Sequence, residues 1–123
     1  MSKVILIAED SSVIQSMAKK VLETLGYKVL TAKNGEKVLE TLSKEHIDLI
    51  LMDLNMPVMN GEDCVAAIRK EADEQKAQTP IIAITGNAAN YSLEEFKAKG
   101  FDNYLPKPIN FDLLIEVVKK TLN

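Results

Sequence analysis

Short continuous apolar runs alternate with helix-spaced apolar residues five times along this chain, and that alternation leaves few folds open. The runs cover residues 3–8, 28–32, 48–52, 81–84 and 103–105. A continuous apolar run marks a strand covered on both faces. Between the runs, apolar residues recur at helical spacing. The sets are Val13, Ile14, Met17, Val21, Leu22 and Leu25, then Val38, Leu39 and Leu42, then Cys64, Val65, Ile68 and Ala72. Leu93, Phe96 and Ala98 mark a shorter fourth helix, and Phe111, Leu114, Ile115, Val118 and Leu122 a last one. Gly26 and Gly100 stand where glycine ends a helix, and Asn110 where a side chain caps one. Strict alternation predicts an α/β fold, an open five-stranded parallel sheet with five helices spread over both faces. Five units are too few for an eightfold barrel.

With 123 residues, the expectation is one domain, 1–123. The net charge of -3 gives nucleic acid no general electrostatic pull, so no direct nucleic-acid role is expected. Cys64 is the only cysteine, which excludes an internal disulfide. No apolar run approaches the roughly 18 residues of a membrane span. The first residues lead straight into a strand without the pattern of a signal peptide, so the expected location is the cytoplasm.

The chemistry lies where the runs stop. The first runs into Glu9-Asp10, the third into Asp53, the fourth into Thr85 and the fifth, through Pro106, into Lys107. In a parallel sheet these C-terminal ends lie side by side, and ligands bind in the crevice outside them. Three carboxylates, a hydroxyl and an ammonium suit a divalent cation and a phosphoryl group. Adjacent acids repel and call for a cation or a lysine. Asp10 or Ser11 could equally cap the following helix. Hard oxygen ligands with no nearby His or Cys favour Mg²⁺ over zinc. A carboxylate closing an apolar strand is costly without a partner. Beside a cation and a lysine, Asp53 could act as a nucleophile toward a phosphoryl donor, and otherwise it is a turn residue. Taken singly, Thr85 also reads as an ordinary strand-end threonine and Lys107 as a surface lysine. His46, in a loop, has nothing catalytic around it. Cys64 lies on an apolar helix face and reads as a buried, inert thiol.

Four segments together resemble the CheY-like response-regulator receiver domain over essentially the full chain. They are Glu9-Asp10, the loop Leu51-Met52-Asp53-Leu54-Asn55-Met56-Pro57-Val58-Met59-Asn60-Gly61, Ala83-Ile84-Thr85-Gly86, and Tyr104-Leu105-Pro106-Lys107-Pro108. The resemblance implies a flavodoxin-like, doubly wound (βα)5 fold and a role in two-component signalling. It implies that Asp53 accepts a phosphoryl group. Asp10, Asp53 and the backbone carbonyl of Asn55 would ligate Mg²⁺, with Glu9 acting through a metal-bound water. Lys107 would pair with Asp53 and then with a phosphoryl oxygen, and Thr85 would hydrogen-bond another. Tyr104 matches the aromatic switch position that moves inward with Thr85. Asn55 and Asn87 match positions that tune phosphoryl lifetime, and the Lys107-Pro108 bond would be cis. Glu9 stands where aspartate is commoner, Gly86 where alanine is frequent, and Asn60 where aspartate is frequent.

The expected function is a phosphorylation-dependent switch. It would take its phosphoryl group from a sensor histidine kinase or a histidine phosphotransfer protein. It would then alter the surface of the fourth helix, fifth strand and last helix to control a partner. Beyond its own phosphoryl transfer and autodephosphorylation it would not be an enzyme. The Thr85-Gly86-Asn87-Ala88 segment is similar to receivers of hybrid kinases, while Met1 and the bare C-terminus lean toward a stand-alone regulator. A pseudo-receiver acting by binding alone is the alternative. A flavodoxin-type carrier would need a phosphate loop where Glu9-Asp10 would repel the flavin phosphate. A haloacid-dehalogenase-type phosphatase would need a second aspartate where Asn55 stands.

Overall fold

The computed structural model describes residues 2–86 and 90–123. The lifetime-tuning position expected at Asn87 lies outside the described residues. Five strands, β1 (Val4–Ala8), β2 (Lys28–Ala32), β3 (Leu49–Asp53), β4 (Ile81–Thr85) and β5 (Asn103–Pro106), form one parallel sheet in the order β2-β1-β3-β4-β5. The helices are α1 (Ser12–Thr24), α2 (Gly35–Lys44), α3 (Gly61–Arg69), α4 (Glu74–Ala77), α5 (Leu93–Lys99) and α6 (Phe111–Leu122). The expected doubly wound (βα)5 sheet is therefore present.

The two-residue period of a strand sorts its side chains into two cores. Leu6, Ala8, Ile50, Met52, Ile81 and Ala83 face α2, α3 and α5 through Val38, Leu42, Val65, Ile68 and Phe96. Ile5, Ile7, Leu49, Leu51, Ile82 and Ile84 face α1 and α6 through Ala18, Leu22, Leu114 and Val118. Both faces are sealed, which is why the strands read as continuous apolar runs. Each core side chain removed from water stabilises the fold by about 1.5–3 kcal/mol before conformational entropy is charged.

The expected elements need three corrections. Among the described residues six helices stand where five were expected: α4 is one short turn, held by the Asp73 carboxylate accepting from the backbone N–H groups of Gln75 and Lys76. It buries no residue and so leaves no apolar period to read. The third helix stops at Arg69, where Lys70 closes it, so Ala72 lies exposed outside the helix rather than on its apolar face. In α1 the buried stripe runs through Ala18 and Leu22, with Ile14 and Val21 half-buried. Val13 and Met17, expected on that face, sit one residue out of phase and are 66% and 49% exposed, and Leu25 is also exposed. The caps behave as expected at Asn110, whose side chain accepts from the N–H of Leu113, and at Gly100, in the left-handed region with φ 109°. Between the two candidates for capping α1, Ser11 takes the position and accepts from the N–H of Ile14.

Candidate functional site

The register decides which side chains meet. β1 and β3 are neighbours at the centre of the sheet, Asp53 is the last residue of β3, and Asp53 lies beside Ile84 of β4. Thr85 pairs with Pro106, and the N–H of Lys107 donates to the Thr85 carbonyl at 2.9 Å. The Leu54 N–H donates to the Ile84 carbonyl at 3.1 Å, carrying the ladder one residue past Asp53. The Lys107-Pro108 peptide bond is cis, as expected.

Lys107 is the hub of the charge arrangement. Its Nζ lies 3.0 Å from Asp53 Oδ1 and 3.8 Å from Glu9 Oε1. The first distance is a charge-assisted hydrogen bond, whereas the second is an ion pair too long for one. Asp53 Oδ1 also accepts from the Asn55 N–H at 3.0 Å. Both bonds fall on the same oxygen. Asp53 and Glu9 are almost wholly buried, at 2% and 3% exposure, while Lys107 reaches solvent. Glu9 Oε2 accepts from the Ser11 N–H at 3.0 Å, but Oε1 is buried with no hydrogen-bond partner among the described residues. An orphaned carboxylate oxygen costs about 1–3 kcal/mol. Burial, followed by the neighbouring Asp53 carboxylate, raises the Glu9 pKa above its ordinary value against the opposing pull of the Ser11 N–H and Lys107.

Asp10 occupies the bend after β1, is exposed, and makes no hydrogen bond or ion pair among the described residues. Among the described residues no three acidic, His or Cys side chains converge as a preformed metal cage. The orphaned Glu9 oxygen facing Lys107 is the feature that fits a cation: its charge lacks a donor that a metal-bound water would supply. A hydrated Mg²⁺, which keeps several waters, suits such a sparse carboxylate set.

A cleft of about 410 Å³ opens over this group, lined by Asp53, Asn55, Thr85 and Lys107. Glu62 of α3 and Tyr91 line it too, and neither carries a sequence signal, because an acid on an exposed helix turn and an aromatic in a loop are ordinary there. Gln15 is a third residue not singled out by its sequence. Its side-chain amide donates to the carbonyls of Glu9 and Ala32, at 3.1 and 3.3 Å, and so fixes the end of β1. Tyr104 is half-buried and stacks on Phe96, with ring centroids 4.7 Å apart. Of the residues read as bland, Cys64 is fully buried and burial pushes its thiol up to about 12. His46 lies on the loop before β3, where Nε2 is 2.8 Å from Asp48 Oδ1.

A sheet of this order with these groups at its C-terminal edge defines a class, and comparison with known proteins gives it a family. The family model for the response regulator receiver domain matches residues 5–119. The chain belongs to that family, whose members are the receiver domains of two-component signalling and not classical enzymes. It is 38% identical over 122 residues to the autoinducer 1 sensor kinase/phosphatase LuxN of Vibrio campbellii, covering 99% of this chain and 14% of LuxN. It is 35% identical to the transcriptional regulatory protein CpxR of Escherichia coli, over 99% of this chain and 50% of CpxR. Among solved structures, CheY4 of Vibrio cholerae superposes with a TM-score of 0.89 at 34% identity, covering 99% of this chain and all of that one. The receiver domain of sensor histidine kinase PA1611 from Pseudomonas aeruginosa, which has a magnesium ion coordinated in its active-site cleft, gives 0.87 at 31% identity over 99% and 98%. The chain thus spans a small part of the sensor kinases it resembles and about half of CpxR.

Proposed function

We propose that this chain is a phosphorylation-controlled switch whose phosphoacceptor is Asp53. The observation that carries the reading is the buried Asp53 carboxylate, tied to Lys107 at 3.0 Å and to the Asn55 N–H at 3.0 Å at the base of an open cleft. An oxygen of Asp53 forms a bond to the phosphorus of a phosphohistidine on a sensor kinase or phosphotransfer protein. The phosphorus–nitrogen bond breaks, and the imidazole leaves with the electron pair. Such a transfer needs positioning and charge neutralisation more than acid-base chemistry. Lys107 supplies a positive charge from one side and follows the charge from the carboxylate to a phosphoryl oxygen. The Thr85 hydroxyl offers a hydrogen bond to a second phosphoryl oxygen.

Asp10, Asp53 and the Asn55 carbonyl would hold Mg²⁺, with Glu9 acting through a water. Bound there, the cation supplies the remaining positive charge that a phosphoryl group demands. The Mg²⁺ in the PA1611 receiver and the donorless Glu9 oxygen both support this assignment.

Phosphorylation adds negative charge beside Thr85, and a local change of that kind biases a two-state loop. Tyr104 is the residue whose position would report it, on the face formed by α5, β5 and α6. Incubating the protein with acetyl phosphate and Mg²⁺ and reading intact mass tests the proposal. A single phosphoryl adduct, stable to acid and lost in base, is expected in the wild type and absent from Asp53→Ala. A wild type left unmodified by both acetyl phosphate and a phosphorylated kinase overturns it.

A further inference from the structure

We infer that Glu62 and Lys99 form a charge gate at the mouth of the Asp53 cleft, which sets how readily the site takes up anionic phosphodonors. The inference rests on the reading of Asp53 as phosphoacceptor. Glu62 sits in the first turn of α3 and lines the cleft with Tyr91. Lys99, the last residue of α5, reaches across so that its Nζ lies 3.3 Å from Glu62 Oε1. The same Nζ lies 4.5 Å from the centre of the Tyr91 ring. One ammonium therefore joins two residues of the cleft wall that come from different parts of the chain. Among the described residues, neither member of the ion pair touches the Asp53–Lys107–Glu9 group through a hydrogen bond.

The consequence is electrostatic. If round, a space of about 410 Å³ is roughly 9 Å across, within about one Debye length at physiological salt. A charge on its wall is felt by a donor entering it. The cleft lining already holds the Asp53 carboxylate, so an unpaired Glu62 would oppose an anion further. Lys99 cancels that charge, and the Tyr91 ring 4.5 Å away helps to hold the ammonium in place. Because the pair is partly solvated, its contribution to fold stability is small. Its effect belongs to uptake of the donor: an Asp53 oxygen bonds to phosphorus, the bond to the acetyl oxygen breaks, and acetate leaves with the electron pair. The gate acts before that step. It should change the donor concentration needed for half-maximal rate and leave the maximal rate alone.

The test is a charge cycle with dianionic acetyl phosphate at low salt. Lys99→Met is expected to raise the half-saturating concentration about two- to fivefold, and Glu62→Gln to lower it by a similar factor. The double variant Glu62→Gln/Lys99→Met and the swapped pair Glu62→Lys/Lys99→Glu should both return near the wild-type value. All shifts should shrink in high salt, and with the less charged donor phosphoramidate. A merely structural pair would move both single variants in the same direction, and that result overturns the proposal. So does a change confined to the maximal rate. A wild type that takes no phosphoryl group at Asp53 instead sinks the parent reading, and the two failures are thereby distinguished.

Discussion

Glu9 and Asp48 are both acids set against the sheet, and their surroundings treat them oppositely. Glu9 is raised because burial outweighs its one backbone bond. Asp48 is also partly desolvated, but the Val4 N–H at 2.8 Å, His46 and Lys3 together outweigh that and lower its pKa below the ordinary value of 3.8. A carboxylate with a lowered folded pKa stabilises the fold fully above its unfolded pKa and loses that contribution as pH falls through the folded value. Asp48→Asn keeps an oxygen for the Val4 N–H but loses the charge. The expected cost is about 1 kcal/mol near neutral pH, vanishing in acid below the folded pKa. Urea titrations of both proteins near pH 7 and near pH 2.5 check this. A gap of equal size at both pH values would show that the charge of Asp48 does no work.

At the scale of elements, the loop after β3 sets the start of α3 beside the cleft, and the last turn of α3 anchors the helix at its other end, away from the cleft. Residues 54–60 fold tightly over β3: a Cβ on Gly61 would sit 2.6 Å from the Asp53 carbonyl, so only glycine lets α3 start there. The loop also holds Val58 at φ 67°, a conformation that strains a β-branched residue, and Val58 is 74% exposed. Val58→Asn relieves the strain with little packing lost. The expected gain is about 1 kcal/mol, read as a higher denaturant midpoint with unchanged slope. At the far end of α3, Arg69 donates to the carbonyls of Gly100, Ala77 and Thr79 at 2.9, 2.7 and 2.7 Å, and to Asp102 at 3.0 Å. Asp102 in turn accepts from the Ile81 N–H at 2.8 Å, so one guanidinium ties α3, α4, β4 and the α5–β5 turn together. Arg69→Met keeps the apolar stem and strands those carbonyls. A loss of about 2–4 kcal/mol is expected in the same titration, and a loss under about 1 kcal/mol would mean that water replaces the guanidinium freely.

For the whole molecule, what the sequence discloses divides along a physical line. Strands sealed on both faces write themselves as apolar runs, so β1 to β5 and the residues that end them are legible. Glu9, Asp53 and Lys107 announce themselves because polar groups closing apolar runs are costly, and the structure brings these three together. Glu62, Lys99 and Tyr91 are not legible, because α3 and α5 meet only through the tertiary fold. The same applies to α4, which buries nothing, and to the turned-out Val13 and Met17. Placing the buried acids at the edge of a sheet that is sealed on both faces has a global consequence. The orphaned Glu9 oxygen is unfavourable only in the folded state, since the unfolded chain hydrates it. A cation taken up by that site binds the native state alone, so it must stabilise the entire domain through mass action. At about ten times its dissociation constant, Mg²⁺ should add about 1.4 kcal/mol, or roughly 4–8 °C in Tm for a chain of this size. Thermal scans in MgCl₂ and in NaCl of matched ionic strength separate this from screening. Asp10→Ala should abolish most of the Mg²⁺-specific shift without itself destabilising the fold, because Asp10 is exposed and has no side-chain partner among the described residues. Equal shifts in both salts, or an undiminished shift in Asp10→Ala, would remove the cation from this site.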